Sequence, residues 1–146
     1  MNRWNALLLA SAVIMGSTAC SPGAKITVVY RGSALLTPKA EVMGIGWTSD
    51  AHHFTLPNAK TIIRAIHEAI SDAGLAQADI AYVSAHGTST QKGDKIEIEC
   101  LREVFGKNLA NIPVSSNKSQ IGHTLGASAA IEAALALPSV DAVLVT

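Results

Sequence analysis

Two segments of this chain share one order of features: a short apolar stretch, then a polar loop with glycine and histidine, then a helical pattern. The first begins at 79–84 and leads to His86, and the second begins at 113–116 and leads to His123. This order is typical of α/β proteins, in which parallel strands bring such loops to one edge of the sheet. The sequence therefore predicts an α/β fold with both histidines at the same edge.

Three further stretches have the β-branched or alternating character of strands. They cover 25–31, about 40–46 and 140–146. Glycines in the second of these indicate close packing of the backbone against a neighbouring element. The polar segment 47–58 that follows is predicted to be a loop.

Apolar residues at helical spacing predict three helices. The first begins near Lys60, with Asn58 as its cap and Gly74 at its end, and the second runs from Asp94 to Gly106. The third, over 124–137, is rich in alanine and carries charge only at Glu132. A helix so apolar on all sides is expected to lie buried in a layered fold.

Size and charge limit the classes of function. A chain of 146 residues has room for one modest domain. Eleven basic residues balance eleven acidic ones, so the charge of the chain does not favour binding to nucleic acid. The hydrophobic fraction is 49% and the mean hydropathy is +0.30. Such a chain either pairs apolar surface with another chain or keeps part of its sequence outside the globule.

The apolar N-terminal segment 1–22 is treated separately from a domain at 25–146. It has a basic start, an apolar run and small residues before Cys20. This order is typical of a secretory or lipoprotein signal, but a buried helix is an equal alternative. We expect a cytoplasmic protein, with export or lipid anchoring through residues 1–20 as the alternative and membrane contact only if that segment is a retained anchor.

The two histidine loops are the strongest candidates for chemistry. Neutral imidazoles donate N–H groups, so two rings aimed at one point stabilise an oxyanion or enolate. Lys118 is five positions before His123 and would favour negative charge there, and it is the natural partner for Glu132 on its apolar helix. The alternative is that each histidine is a hydrogen-bonded structural residue. The five histidines lack metal-ligand spacing, so no metal site is predicted.

The motifs in these loops resemble those of the β-ketoacyl-acyl-carrier-protein synthases. The matching stretches are AHGTST at 85–90, GDKIE at 93–97 and VSSNKSQIGHTLGA at 114–127, with further similarity at 40–52 and 72–75. The resemblance covers about residues 39–137. It implies a thiolase-like fold, in which two similar α/β halves form an αβαβα sandwich, and this chain would supply most of the C-terminal half.

The resemblance also implies roles for individual residues. His86 and His123 would donate hydrogen bonds to the thioester carbonyl of malonyl-acyl carrier protein, and Lys118 and Glu132 would be the supporting ion pair. The substrate would arrive on the carrier protein's phosphopantetheine, with no separately bound cofactor.

Four more residues complete the implied site. Thr88 and Thr90 would line the phosphopantetheine tunnel, and Asp94 and Glu97 would brace the His86 loop. The implied partners are the acyl carrier protein and a second ketosynthase chain, in a homodimer or a heterodimer.

Two departures from the family pattern bear on activity. The family nucleophile is a cysteine much farther from the first histidine than Cys20 is, so Cys20 is a weak candidate for it, and Cys100 is expected in the core. The family's glycine-rich loop with a phenylalanine has no match. We therefore expect an incomplete acyltransferase of fatty-acid or polyketide synthesis. The alternatives are a non-catalytic partner like the chain-length-factor subunits, or a truncated fragment.

Overall fold

The structure, a computed structural model, describes residues 24–31, 41–51, 53, 56–136 and 142–146. The predicted N-terminal segment 1–22, with Cys20, lies outside these residues. The strands are β1 (Ala24–Arg31), β2 (Glu41–Ser49), β3 (Tyr82–Ser84), β4 (Val114–Ser115) and β5 (Ala142–Val145). The helices are α1 (Ala59–Asp72), α2 (Gln91–Phe105), α3 (Lys118–Ile121) and α4 (Ser128–Ala136).

The five strands form one mixed sheet in the order β2-β1-β5-β3-β4. β3 lies parallel to both β4 and β5, whereas β1 is antiparallel to β5 and to β2. β2, β5, β3 and β4 therefore all end at the same edge of the sheet. The loops that carry His86 and His123 leave from this edge, which confirms the predicted α/β arrangement.

Helices cover both faces of the sheet. On one face α1 and α2 pack against Val83 and Leu144, and on the other α4 packs against Val143 and Val145. Burying these apolar faces is the main stabilising contribution available to a layered domain. Cys100 of α2 is 1% exposed, so its predicted place in the core is confirmed.

The glycines of β2 allow α1 to lie directly against the strand. A Cβ atom at Gly46 would stand 1.8 Å from the carbonyl oxygen of Ala65, and one at Gly44 would stand 2.4 Å from the amide nitrogen of Ala73. Both distances are far below van der Waals contact with backbone that cannot move aside. The close packing predicted from these glycines is confirmed.

The first predicted helix is confirmed at both ends. The Asn58 side chain accepts a hydrogen bond from the Lys60 amide at 3.0 Å, as a helix N-cap does. α1 ends at Asp72, and Gly74 follows with φ of +66°, a conformation that glycine adopts without strain. Local capping chemistry therefore sets this helix.

The second helix begins earlier than predicted. α2 starts at Gln91, and the Asp94 amide already donates to the Thr90 carbonyl. The prediction at Asp94 was wrong by three residues because the first turn carries only polar and glycine residues, which add nothing to the apolar periodicity. The end at Gly106, with φ of +53°, is as predicted.

The region after β4 differs most from the prediction. The expected polar loop contains the one-turn helix α3, which ends where Gly122 takes φ of +76°. The expected helix over 124–137 begins only at Ser128, after a 3₁₀ turn at Leu125–Ala127. Leu125 has a positive φ of 51°, which an α-helix excludes, so the alanine pattern overstated the helix.

Burial of α4 is also only partial within the described part of the chain. Its face toward the sheet is buried, but Ile131 is 36% and Leu135 50% exposed. The predicted burial is therefore confirmed for the face of α4 toward the sheet and does not extend to the opposite face, because the sheet covers only one side of the helix.

The strand boundaries moved as well. β2 continues past the predicted end to Ser49, because Ser49, Thr48 and Trp47 pair with the start of β1. β3 is shorter than predicted because Gln77–Asp79 forms a 3₁₀ turn. None of the helices in the described residues is long and apolar enough to cross a membrane.

Candidate functional site

The His86 loop is held through its backbone. The amide of His86 donates to Oε1 of Glu97 at 2.7 Å, and the amide of Gly87 donates to Oε2 at 2.9 Å. Gly87 has φ of +40°, which lets two successive amides point to one carboxylate. Glu97 is 9% exposed, so these charge-assisted bonds form largely away from water.

The last described strand also reaches this loop. The hydroxyl of Thr146 lies 2.7 Å from Oε1 of Glu97 and 3.1 Å from the amide nitrogen of His86. The Thr146 amide donates to the Ser84 carbonyl at 3.1 Å. Ser84 of β3, Glu97 of α2 and Thr146 after β5 are thus joined by hydrogen bonds where the His86 loop begins.

His123, in contrast, is held through its ring. It is exposed, and its Nδ1 accepts a hydrogen bond from the Leu125 amide at 3.2 Å. The Ser128 hydroxyl lies 3.2 Å from the same nitrogen, and the Thr124 hydroxyl lies 3.1 Å from that of Ser128. A nitrogen that accepts from a backbone N–H carries no proton, so the neutral ring has its proton on Nε2. His123 therefore offers one N–H donor.

The two imidazoles meet at the sheet edge. Their ring centroids are 5.4 Å apart and their planes are at 85°, an edge-to-face arrangement. An oxygen that accepts two N–H hydrogen bonds of about 2.9 Å needs donor nitrogens less than about 6 Å apart. The separation of the rings is compatible with this requirement.

Lys118 and Glu132 form a buried ion pair. Nζ of Lys118 lies 2.5 Å from Oε1 of Glu132, and the side chains are only 5% and 1% exposed. The predicted pairing is present, and it ties α3 to α4 on either side of the His123 loop. Because both charges are buried, removing one would leave the other unpaired in a poorly solvated place.

The other predicted site residues differ in their placement. The hydroxyls of Thr88 and Thr90 are 3.4 Å apart, half-buried and exposed respectively, in the loop before α2. Of the two residues expected to brace the His86 loop, Glu97 contacts it, while Asp94 is exposed on the first turn of α2. The bracing role of Asp94 stays a prediction. Cys20 lies outside the described residues.

Ser128 and Thr146 were missed by the reasoning from sequence. Ser128 is 7% exposed and follows His123 by five positions. A polar residue at the start of an alanine-rich helix was the only sequence feature that could have suggested its contact with His123. Thr146 is 60 positions from His86, and no local pattern relates the two. Among the residues that the structure describes, no group of three histidine, cysteine or acidic side chains is placed to hold a metal ion.

Comparison with known proteins assigns the family. The model of the β-ketoacyl synthase C-terminal domain matches residues 39–145. The 3-oxoacyl-[acyl-carrier-protein] synthase 2 of Staphylococcus aureus is 44% identical over 96 residues, which are 64% of this chain and 24% of that protein.

Solved structures agree with this assignment. A β-ketoacyl synthase from Burkholderia phymatum superposes with a TM-score of 0.63 at 46% identity, covering 69% of this chain and 24% of the other. The ishigamide ketosynthase/chain length factor gives 0.60 at 35% identity, covering 70% and 26%. The chain spans about a quarter of the length of these relatives. It has the α/β fold of the thiolase-like ketosynthases. It belongs to the β-ketoacyl synthase family, whose C-terminal domain it matches over residues 39–145.

Proposed function

We propose that this chain binds the thioester carbonyl of malonyl-acyl carrier protein and stabilises the enolate left when carbon dioxide departs. The observation that supports the proposal most is the edge-to-face meeting of His86 and His123 with centroids 5.4 Å apart. Two imidazoles this close can donate to a single oxygen, where negative charge develops.

The chemistry is a decarboxylation. The bond between the malonyl carboxylate and the α-carbon breaks, carbon dioxide leaves, and the electron pair moves into the thioester as an enolate. The Nε2–H of His123 is a neutral donor whose orientation is fixed by the Leu125 amide and Ser128. A donor oriented in advance needs no reorganisation as the charge appears. A proton from water at the α-carbon then gives the acetyl thioester.

The substrate's carrier arm provides the second part of the proposal. The carrier protein's phosphopantetheine would pass Thr88 and Thr90, so no separately bound cofactor is needed. In the complete reaction the enolate attacks an acyl group held on a nucleophile. Cys20 is the candidate for that nucleophile. Glu97 would brace the loop that carries His86.

The test is to incubate the full chain with malonyl-acyl carrier protein and to measure acetyl-carrier protein and released carbon dioxide. We expect His86→Ala and His123→Ala each to lower the rate by about 10²-fold or more, the scale of removing one oxyanion donor. His67→Ala, which removes an exposed histidine on α1, is the matched control and should change nothing. Activity that survives His123→Ala would contradict the proposal.

Condensation needs a separate experiment. If Cys20 is the nucleophile, an acyl thioester should label the chain by one acyl group, and Cys20→Ala should abolish the label whereas Cys100→Ala should not. Labelling that persists in Cys20→Ala would remove Cys20 from the mechanism.

A non-catalytic partner subunit is the second candidate function. It is favoured by exposed apolar side chains on β2 and α4, namely Ile45, Trp47, Ile131 and Leu135. Exposed apolar groups of this kind are typical of surfaces that pair with another chain. Co-purification with a full-length ketosynthase would support this function or a heterodimer, a dimer of this chain alone would indicate a homodimer, and a stable monomer would contradict pairing.

The truncated-fragment alternative and the localisation each have a direct test. A cooperative thermal transition is expected of a native domain, and its absence would favour the fragment. We propose the cytoplasm as the location of the protein. Mass spectrometry of the N-terminus separates this from export, since an intact Met1 supports it and cleavage before Cys20 contradicts it.

A further inference from the structure

We infer that Thr146 is a positioning residue for His86, because its hydroxyl keeps the Glu97 carboxylate in place beneath the His86 loop. Only the expected change in kcat rests on the proposed function. The effect of Thr146 on the His86 and Gly87 amides is expected whether or not the chain decarboxylates malonyl-acyl carrier protein.

The contacts define the direction of each hydrogen bond. A carboxylate only accepts, so the Thr146 hydroxyl donates to Oε1 of Glu97 at 2.7 Å. The oxygen of that hydroxyl remains free to accept, and the His86 amide lies 3.1 Å from it. The His86 N–H is thus shared between Glu97 and Thr146, and the three groups close a small ring of hydrogen bonds.

This ring fixes which way the carboxylate turns. Oε1 receives the Thr146 hydroxyl and the His86 amide, which leaves Oε2 for the Gly87 amide. Without the hydroxyl, the carboxylate could rotate and shorten one amide contact while lengthening the other. Because the His86 side chain leaves the backbone at this point, such a rotation would move its imidazole relative to His123.

The Thr146 hydroxyl also lies 3.5 Å from the Ser84 carbonyl, but this long contact is not the main one that holds the end of β5. The amide of Thr146 already donates to the Ser84 carbonyl, and β5 pairs with both β3 and β1. The hydroxyl instead makes its closest contact with Glu97, 49 positions away in the sequence. The main role of the Thr146 hydroxyl is therefore to position the His86 loop.

The experiment compares Thr146→Val, which replaces the hydroxyl by a methyl group of similar size, with Thr146→Ser, which keeps the hydroxyl. The matched control is Thr48→Val, since Thr48 of the edge strand β2 is 1% exposed and its hydroxyl donates to the Thr61 carbonyl of α1. Amide hydrogen exchange in the full chain, followed by NMR, is the first measurement. The Val83 amide, which donates to the Pro113 carbonyl, is the internal reference.

In Thr146→Val we expect the amides of His86 and Gly87 to exchange about tenfold faster relative to Val83, as the loss of one hydrogen bond to a charged group predicts. Thr146→Ser should restore the wild-type rates and Thr48→Val should leave them unchanged. Unchanged exchange at both amides in Thr146→Val would overturn the inference, whatever the activity of the chain.

The second measurement is the decarboxylation of malonyl-carrier protein. Thr146→Val should lower kcat about tenfold with KM within twofold, since orientation and not binding is lost, and Thr146→Ser should recover it. An active wild type whose kcat is unaffected by Thr146→Val refutes the inference but keeps the proposed function. An inactive wild type refutes the proposed function, and the exchange measurement still decides on Thr146.

Discussion

The two histidine loops are held in opposite ways. The His86 loop is fixed through its backbone amides by a charged group, Glu97, while its half-buried ring approaches His123. His123 is exposed and is fixed through its ring nitrogen by a backbone amide and the Ser128 hydroxyl. The first arrangement controls where an imidazole stands, and the second controls which of its nitrogens carries the proton. A site that needs two matched donors requires both kinds of control.

The largest expected effect concerns the ion pair beside the His123 loop. Lys118→Met leaves Glu132 buried without its partner, so the free energy of unfolding should fall by about 3–5 kcal/mol. The double variant Lys118→Met/Glu132→Leu should recover most of this loss, because no unpaired charge remains. Urea denaturation of the three proteins checks both expectations. A double variant no more stable than Lys118→Met would show that the pair does more than neutralise charge.

The next effect tests the support of the His86 loop. Glu97→Ala removes the acceptor of two amides and one hydroxyl, and we expect about 3 kcal/mol of destabilisation. The matched control on the same helix is Glu99→Ala, whose carboxylate is 55% exposed and 4.0 Å from Lys95. It should cost less than about 0.5 kcal/mol, the value for an exposed helical pair. Equal losses in the two variants would contradict the role of Glu97.

A smaller effect isolates control of the proton. Ser128→Ala removes one partner of His123 Nδ1 and should cost about 1 kcal/mol of stability. Nitrogen NMR of the imidazole should still show the proton on Nε2, because the Leu125 amide remains, but with a larger fraction on Nδ1. Ser119→Ala, at an exposed position of α3, is the control. An unchanged spectrum would assign the control of the tautomer to Leu125 alone.

The smallest effect is the shift that Glu97→Gln causes in the pKa of the Cys100 thiol on the same helix. Burial, followed by the charges of Glu103 and Glu97, raises the pKa of the Cys100 thiol to about 11 from its ordinary value of 9.0. In a Cys20→Ala background, thiolate absorbance should therefore rise only near pH 11, and Glu97→Gln should lower this pKa slightly. Because the folded-state pKa is raised, stability should be complete below pH 9 and fall as pH rises toward 11, by at most about 1.4 kcal/mol per pH unit. A midpoint near 9 would show that the thiol is solvated.

Much of the fold was predictable from local patterns. The N-cap at Asn58, the close packing at Gly44 and Gly46, and the common edge for the two histidine loops all follow from residue types and their spacing. The errors lie where an element begins with residues that carry no apolar signal, as at Gln91, or where one backbone conformation interrupts a good helical pattern, as at Leu125.

The candidate site was predictable as a set of residues but not as a geometry. Motifs identify His86, His123, Lys118, Glu132 and Glu97, and the roles of these residues in catalysis remain predictions. The contact of Thr146 with the His86 loop depends on how separate strands and helices come together.

The sequence by itself determined the buried faces of α1 and α2, the glycines that end these helices and the positions of the histidines in their loops, because these depend on interactions between residues a few positions apart. Only the tertiary structure decided that the Glu97 carboxylate accepts from the His86 and Gly87 amides, that Thr146 joins Glu97 from 49 positions away and that the two rings meet edge to face. Hydrogen-bond directions and ring orientations depend on shifts of less than an ångström between distant segments, and residue order alone does not specify such shifts.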